Sequence, residues 1–278
     1  MKPLCIDVFC GLGGWTEGFL AEGWECIGFD LERHDYGSGG YPAQLVRQDA
    51  LTIHGKQFRQ ADCLVMSPPC QEFSYMAMPF SRGKQIARAL RGEDEFPAGY
   101  RGSRTVGELT ALFDACFRIQ REASAAAGRH IPMVVENVKG AEPWVGRARG
   151  RFGSFLLWGD VPALMPSAQR HMASKNSGGS WFAIGSPGQK ELARNPVRDG
   201  VKKIAFDAAG TRLLRSVGNS SFGWDGTMNR THSGSDARKA ASAQIAKIPP
   251  VLSRYIAATY RPRPVTGNES IIVTAVEE

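Results

Sequence analysis

The sequence predicts an α/β protein built on a doubly wound, parallel sheet. Three observations carry that expectation. Over the first 140 residues, short apolar runs of strand length alternate with stretches of helical period. The runs are nearly continuous rather than alternating, as strands buried on both faces are. Glycines, prolines or carboxylates stand where the runs stop.

The elements follow in order. Leu4 to Phe9 is the first strand, followed by a turn with glycines at Gly11, Gly13 and Gly14. Trp15, Phe19 and Leu20 then keep helical spacing up to Gly23, in a C-cap position. Cys26 to Asp30 reads as the second strand, and Cys63 to Met66 as a further one ending at Ser67-Pro68-Pro69. From Val106, the set Leu109, Leu112, Phe113, Cys116, Phe117 and Ile119 predicts a helix closed by Gly128. Met133 to Val135 makes another strand, ending in Glu136-Asn137. A last helix is expected from Ser242 to Tyr260, which Pro249-Pro250 either interrupts or opens. In such sheets, ligands gather beyond the carboxyl ends of the strands. The residues expected there are Asp7 to Gly14, Asp30, Pro69-Cys70 and Glu136-Asn137.

Composition bounds the rest. The chain has 278 residues, 42% hydrophobic and 22% charged, which fits a globular protein of one large domain or a large and a small one. No apolar run approaches the roughly 20 residues that cross a bilayer. The N-terminus enters a strand directly, so no secretory signal and a cytoplasmic location are expected. The six cysteines form no CxxC pair, which predicts neither a disulfide framework nor a metal site. The net charge is +7, and residues 166–240 alone hold twelve basic residues against five acidic ones, so the whole excess lies there. That stretch, rich in Ser, Gly, Asn and Arg, reads as a small loop-rich insert, with either a phosphate-facing surface or a solvated basic face. The expected division is a catalytic domain over 1–165, the basic insert over 166–240, a returning helix over 241–262 and a poorly packed tail over 263–278.

Four short stretches carry chemistry. The turn Phe9-Cys10-Gly11-Leu12-Gly13-Gly14 lets a ligand approach the backbone closely. It is no phosphate loop, since no Lys-Ser/Thr follows, and Thr16 stands where a dinucleotide fingerprint has its last glycine. Asp30 suits two ribose hydroxyls, although a strand-end surface acid would read the same; with the turn it points to an adenosine-type cofactor. Pro68 and Pro69 fix the backbone ahead of Cys70, which suits a nucleophile. Glu136, flanked by apolar residues, suits a proton donor or a buried structural acid.

In combination these stretches resemble the cytosine-5 DNA methyltransferases. Asp7-x-Phe9-x-Gly11-x-Gly13-Gly14 is similar to that family's first cofactor motif, and Pro69-Cys70-Gln71-x-Phe73-Ser74 to its nucleophile motif. Glu136-Asn137-Val138 is similar to its second catalytic motif. Asp30 with Leu31 stands in the place of the ribose-binding acid, and Asp49-Ala50 in that of an adenine-contacting pair after a third strand. The motifs occur in family order over roughly residues 4–140. Toward the C-terminus the likeness thins. No Gln-x-Arg-x-Arg strand occurs, and Arg147-Ala148-Arg149-Gly150-Arg151 is the nearest substitute, giving Arg149 and Arg151 the role of holding base and phosphate or that of a surface cluster. Gly218-Asn219 and Ile248-Pro249-Pro250-x-Leu252 are about thirty residues apart, whereas the family has them together.

The resemblance implies a Rossmann-like sheet of the class I methyltransferase type with a small target-recognition insert. It implies S-adenosylmethionine as cofactor and methyl transfer to carbon 5 of a flipped-out cytosine, through a Cys70 adduct assisted by Glu136. Double-stranded DNA is the expected partner, with a cognate restriction endonuclease a further possible one, and a monomer is expected. An RNA cytosine methyltransferase or a catalytically inactive DNA-binding relative remains open. Expected nucleic-acid contacts are Gln71, Ser74, Arg82, Lys202, Lys203, Arg212 and Arg215, with Arg230 a further candidate, and the link from Tyr75 to Arg104 is expected to be a loop that closes on DNA.

Overall fold

The computed structural model describes residues 2–34, 40–74, 80–92, 105–166 and 246–262, with Ala243. Among these, seven strands form one sheet in the order β3-β2-β1-β4-β5-β7-β6. They are β1 (Leu4–Val8), β2 (Glu25–Asp30), β3 (Gln44–Arg47), β4 (Cys63–Met66), β5 (Met133–Asn137), β6 (Gly150–Phe152) and β7 (Phe155–Gly159). The described helices are α1 (Gly14–Ala21), α2 (Phe80–Leu90), α3 (Val106–Ala127), α4 (Glu142–Val145) and α5 (Pro250–Tyr260).

The expected α/β class and doubly wound architecture are found. Alternation along the strands divides the core in two. Ile6, Val8, Leu64, Met66, Met133, Val135, Leu156 and Trp158 face α3, where Leu109, Phe113, Cys116, Ile119 and Ala123 meet them. Cys5, Cys26, Cys63, Val65, Val134, Phe155 and Leu157 face the other way, against Trp15 and Phe19 of α1 and Leu252, Ile256 and Ala257 of α5. All these side chains are buried, which explains the near-continuous apolar runs. The α3 N-terminus is fixed by Thr105, whose hydroxyl accepts from the Glu108 N–H at 3.1 Å.

One expectation is corrected and one alternative decided. The sheet is mixed, not wholly parallel: β3, β2, β1, β4 and β5 run parallel, whereas β7 is antiparallel to both β5 and β6. The cause is the short hairpin Phe152-Gly153-Ser154-Phe155, which folds β7 back between β5 and β6. The final helix begins at the proline pair, with Pro249 as its N-cap and Pro250 in its first turn. Proline there gives up no hydrogen bond, because first-turn amides have no partner within the helix.

α1 and α5 lie unusually close. A Cβ at Gly14 would stand 2.5 Å from the backbone nitrogen of Ile248, and one at Gly18 would overlap Ser253. Glycines four residues apart on α1 thus make the groove that seats the return segment. Lys247–Glu17 at 2.6 Å and Arg254–Glu22 at 2.7 Å close its rim. This packing ties Ile248, on the far side of the undescribed insert, to the first turn of α1 beside the glycine loop. No described helix is long and apolar enough to cross a membrane.

Candidate active site

The cofactor half is built at the carboxyl ends of β1 and β2. After Val8 the chain turns through Phe9, a non-glycine residue with φ of +59°, and Gly13, with φ of +74°. Backbone bonds fix the turn: Cys10 N–H donates to Phe29 O at 3.2 Å and Gly13 N–H to Cys10 O at 2.8 Å. Asp30 clamps it further, its Oδ2 accepting from the Gly11 N–H at 2.9 Å. Its Oδ1 lies 3.3 Å from both the Glu32 N–H and His34 Nε2.

A Cβ at Gly11 would meet nothing within 4 Å, so the turn is open there, whereas one at Gly13 would lie 2.6 Å from Pro42, which covers the turn at that point. Leu31 and Leu51 stand 63% and 51% exposed beside it. Gln48 N–H extends the β2–β3 ladder to Asp30 O at 2.9 Å, which sets the ends of the two strands carrying these residues side by side. Asp49 caps the short helix Ala50–Thr52 by accepting from the Leu51 N–H at 2.9 Å, and Ala50 is buried beneath. An open backbone, a strand-end carboxylate and two exposed apolar side chains fit a nucleoside, with its base on the leucines and its ribose hydroxyls toward Asp30.

Asp7 lies fully buried beneath this turn. Its Oδ2 accepts from Thr16 Oγ1 at 2.8 Å, and the Tyr41 hydroxyl, itself bonded to Thr16, approaches the same oxygen at 3.5 Å. Oδ1 has no partner among the described residues. Burial pushes the carboxyl pKa up to about 7, aided by the charge of Asp30 and opposed by the Thr16 and Tyr41 hydroxyls. A carboxyl raised on folding favours the folded state at low pH and loses that advantage as pH climbs through the raised value. Asp7 is therefore expected to cost on the order of 4 kcal/mol of stability between pH 4 and 7, about 1.36 kcal/mol per pH unit. Asp7→Asn keeps an acceptor for Thr16 and should flatten that decline. Denaturant melts at pH 5 and pH 8 check this, and an identical decline in the variant would place the titration elsewhere.

The half that carries Cys70 and Glu136 sits on the adjacent strands. Ser67 follows β4, and its Oγ accepts from the indole N–H of Trp15 at 3.0 Å. Pro68 O accepts from Asn137 Nδ2 at 2.9 Å. The carbonyl of Cys70 accepts from the N–H groups of Phe73 at 3.0 Å and Ser74 at 2.8 Å, closing a tight turn. Phe73 plugs into the α3-side core. Behind it, a Cβ at Gly140 would lie 1.8 Å from Phe73 O, so the chain after β5 supports this turn only because it has no side chain there. Cys70 is half-buried, unlike the other five cysteines, which are buried. Met66 pairs with Val135, so Ser67 comes level with Glu136, which is 8% exposed. Glu136, two residues beyond Val134, shares the sheet face that carries α1 and the cofactor turn.

The structure thus gathers Phe9, Gly11, Leu12, Gly13, Gly14, Asp30, Leu31, Asp49, Ala50, Cys70 and Glu136 along the carboxyl edge of β1, β2, β4 and β5. It does not bring Arg149 there. Arg149 lines a shallow groove of about 240 Å³ with Arg147, Gln120, His130 and Asp160, near the amino end of β5. The reason is register: Gly150 pairs with Leu157, which pairs with Glu136, so the residue before Gly150 falls behind the edge. Arg151 comes level with Asn137, but alternation with the buried Phe152 turns it to the α3 face. Arg82 is not a surface contact: it lies on α2, is 1% exposed, and bonds Glu72 Oε1 at 3.4 Å. Part of the expected 75–104 loop is therefore helix. Gln71 is exposed and Ser74 half-buried on the nucleophile turn. Lys202, Lys203, Arg212, Arg215, Arg230 and Gly218-Asn219 lie outside the described residues. Trp15, Ser67 and Gly140 were not legible as site residues, because each acts through a contact distant in sequence.

Residues 4–85 match the model of the family described as C-5 cytosine-specific DNA methylase. No curated protein matches the chain. Among solved structures, the chain is similar to a DNA modification methyltransferase encoded within a prophage (E. coli), with 18% identity over 50% of this chain and 33% of that one, at a TM-score of 0.31. It is also similar to the Entamoeba histolytica methyltransferase EhMeth, with 17% identity over 52% and 41% and a TM-score of 0.33. A Spodoptera frugiperda DNMT2 mutant gives 17% identity over 51% and 37%, with a TM-score of 0.25. The chain thus spans between a third and about two fifths of the length of these proteins.

Proposed function

From the premise that residues 4–85 carry the C-5 cytosine-specific DNA methylase match, we propose that this chain methylates carbon 5 of a cytosine flipped out of double-stranded DNA, with S-adenosylmethionine as donor. The observation that carries the reading is the placement of Cys70. It stands on a Pro-Pro-braced turn beyond the carboxyl end of β4, three residues after Ser67, which comes level with Glu136 on β5, and β4 lies next to β1, which leads into the glycine turn.

The bound cofactor supplies an electrophilic methyl carbon. Gly11 and Asp30 would hold its ribose side, with Leu31, Asp49 and Ala50 around its base. Cys70, as thiolate, adds to carbon 6 while Glu136 gives a proton to N3, so the displaced electron pair reaches carbon 5. Carbon 5 would take the methyl group as the donor's sulfur–methyl bond breaks and S-adenosylhomocysteine is left; water would then take the carbon-5 proton as the thiolate leaves carbon 6, and N3 returns its proton to Glu136. Gln71 and Ser74, on the same turn, would meet the substrate strand, and Lys202, Lys203, Arg212 and Arg215 would meet phosphates.

The test is transfer of a labelled methyl group to DNA and, separately, to RNA. Product on DNA is expected, together with a covalent complex at Cys70 when the target carries 5-fluorocytosine. Product on RNA alone would move the substrate assignment, and transfer to neither would overturn the reading. Asp30→Ala should weaken S-adenosylhomocysteine binding by about 1.5–3 kcal/mol for each charge-assisted hydrogen bond lost. Calorimetry showing unchanged affinity would assign the ribose contact to another acid, with Glu32 the nearest.

A further inference from the structure

We propose that Trp15 and Ser67 form a tether that couples occupancy of the cofactor turn to the position of Cys70, which makes both positioning residues for the reaction proposed above, on which this inference rests. Ser67 is bound to both ends of the turn. Its backbone N–H donates to Val8 O at 3.2 Å, just before the turn begins. Its hydroxyl accepts from the Trp15 indole at 3.0 Å, just after the turn ends. A ligand that orders residues 9–14 therefore orders Ser67 from two sides.

The segment after Ser67 transmits that order. Pro68 and Pro69 have fixed φ angles, so little rotation is available before Cys70. The loop is also anchored independently of the cofactor, directly after Ser67 by Asn137 on Pro68 O and beyond Cys70 by the glycine contact beneath Phe73. Among the described attachments of this loop, Ser67 is the one bonded to both ends of the cofactor turn, and it is half-buried, whereas Pro68 and Phe73 are buried. Tryptophan matters at position 15 for a specific reason. Packing alone, at 2% exposure, would accept another large apolar side chain, but of the apolar aromatics only tryptophan carries an N–H to reach the hydroxyl.

The thiol itself reads the tether without any nucleic acid. In the full chain, Cys70 is alkylated with iodoacetamide and followed by mass spectrometry, with and without S-adenosylhomocysteine. Wild-type alkylation is expected to slow about fivefold with ligand, the size one hydrogen bond can carry. Trp15→Phe and Ser67→Ala should each bring that ratio close to one, with calorimetry showing ligand affinity within about threefold of wild type. The double variant should add nothing further, and Ser67→Thr, which keeps the acceptor, should restore the ratio. Slowing that persists undiminished in Trp15→Phe and Ser67→Ala would mean that the ligand shields the thiol directly, and would overturn the tether. So would wild-type alkylation that ignores bound ligand. Intact coupling with no methyl transfer to DNA or RNA would overturn the functional reading and leave the tether standing. A wild type that binds no S-adenosylhomocysteine would overturn both.

Discussion

Cys70→Ala is expected to abolish methyl transfer while leaving thermal unfolding and cofactor affinity unchanged. The turn that carries Cys70 is held by groups other than its thiol: the Asn137 amide, the Trp15 indole, two backbone bonds to the Cys70 carbonyl, and Phe73 in the core. Removing one half-buried sulfur should therefore cost little stability. The other thiols are poor substitutes. Burial pushes those of Cys5, Cys10, Cys63 and Cys116 well above the ordinary range, so they stay protonated and unreactive at neutral pH. With 5-fluorocytosine DNA, tryptic mapping should find the adduct at Cys70 in wild type and nowhere in the variant. An adduct on another cysteine, or full turnover by Cys70→Ala, would displace the assignment.

Glu136→Gln is expected to lower the rate of methyl transfer by about 10²–10⁴-fold, the range for loss of a positioned general acid. The amide matches the carboxyl in shape, so packing at the end of β5 survives, and a glutamine can donate a hydrogen bond to N3. It cannot deliver the proton to N3 that neutralises the charge displaced through the ring when the thiolate bonds to carbon 6. Single-turnover transfer should fall while S-adenosylhomocysteine affinity holds, which separates this residue from the cofactor half. A loss smaller than about tenfold would show that Glu136 is structural, the competing reading of a buried acid.

Much of the site was legible from local pattern. The strand that begins at Leu4, the glycine turn, the acid at Asp30, the prolines before Cys70 and the Glu136-Asn137 strand end are all short-range features. Strand and helix periods state where such elements start and stop, and a parallel sheet collects their carboxyl ends on one edge. Local pattern was silent where placement depends on pairing partners. Arg149 and Arg151 read as a substitute base-holding pair, yet the β6–β7 hairpin sets their register and turns Arg151 to the α3 face. Arg82 read as a phosphate contact from its charge, and burial on α2 with Glu72 beside it decided otherwise.

By itself, then, the sequence determined the α/β class, the places of four of its strands and the identities of the candidate nucleophile, acid and cofactor carboxylate, because these rest on periodicity, turn chemistry and neighbouring residues. Only the tertiary structure decided that β7 runs antiparallel, that Ile248 returns to the first turn of α1, that Gly140 braces the Cys70 turn, and that Trp15 reaches Ser67. Apart from the β7 pairing, these are contacts between residues 52 to more than 200 positions apart. Which distant groups meet is set by packing the two faces of one sheet to density, and no local pattern encodes the outcome.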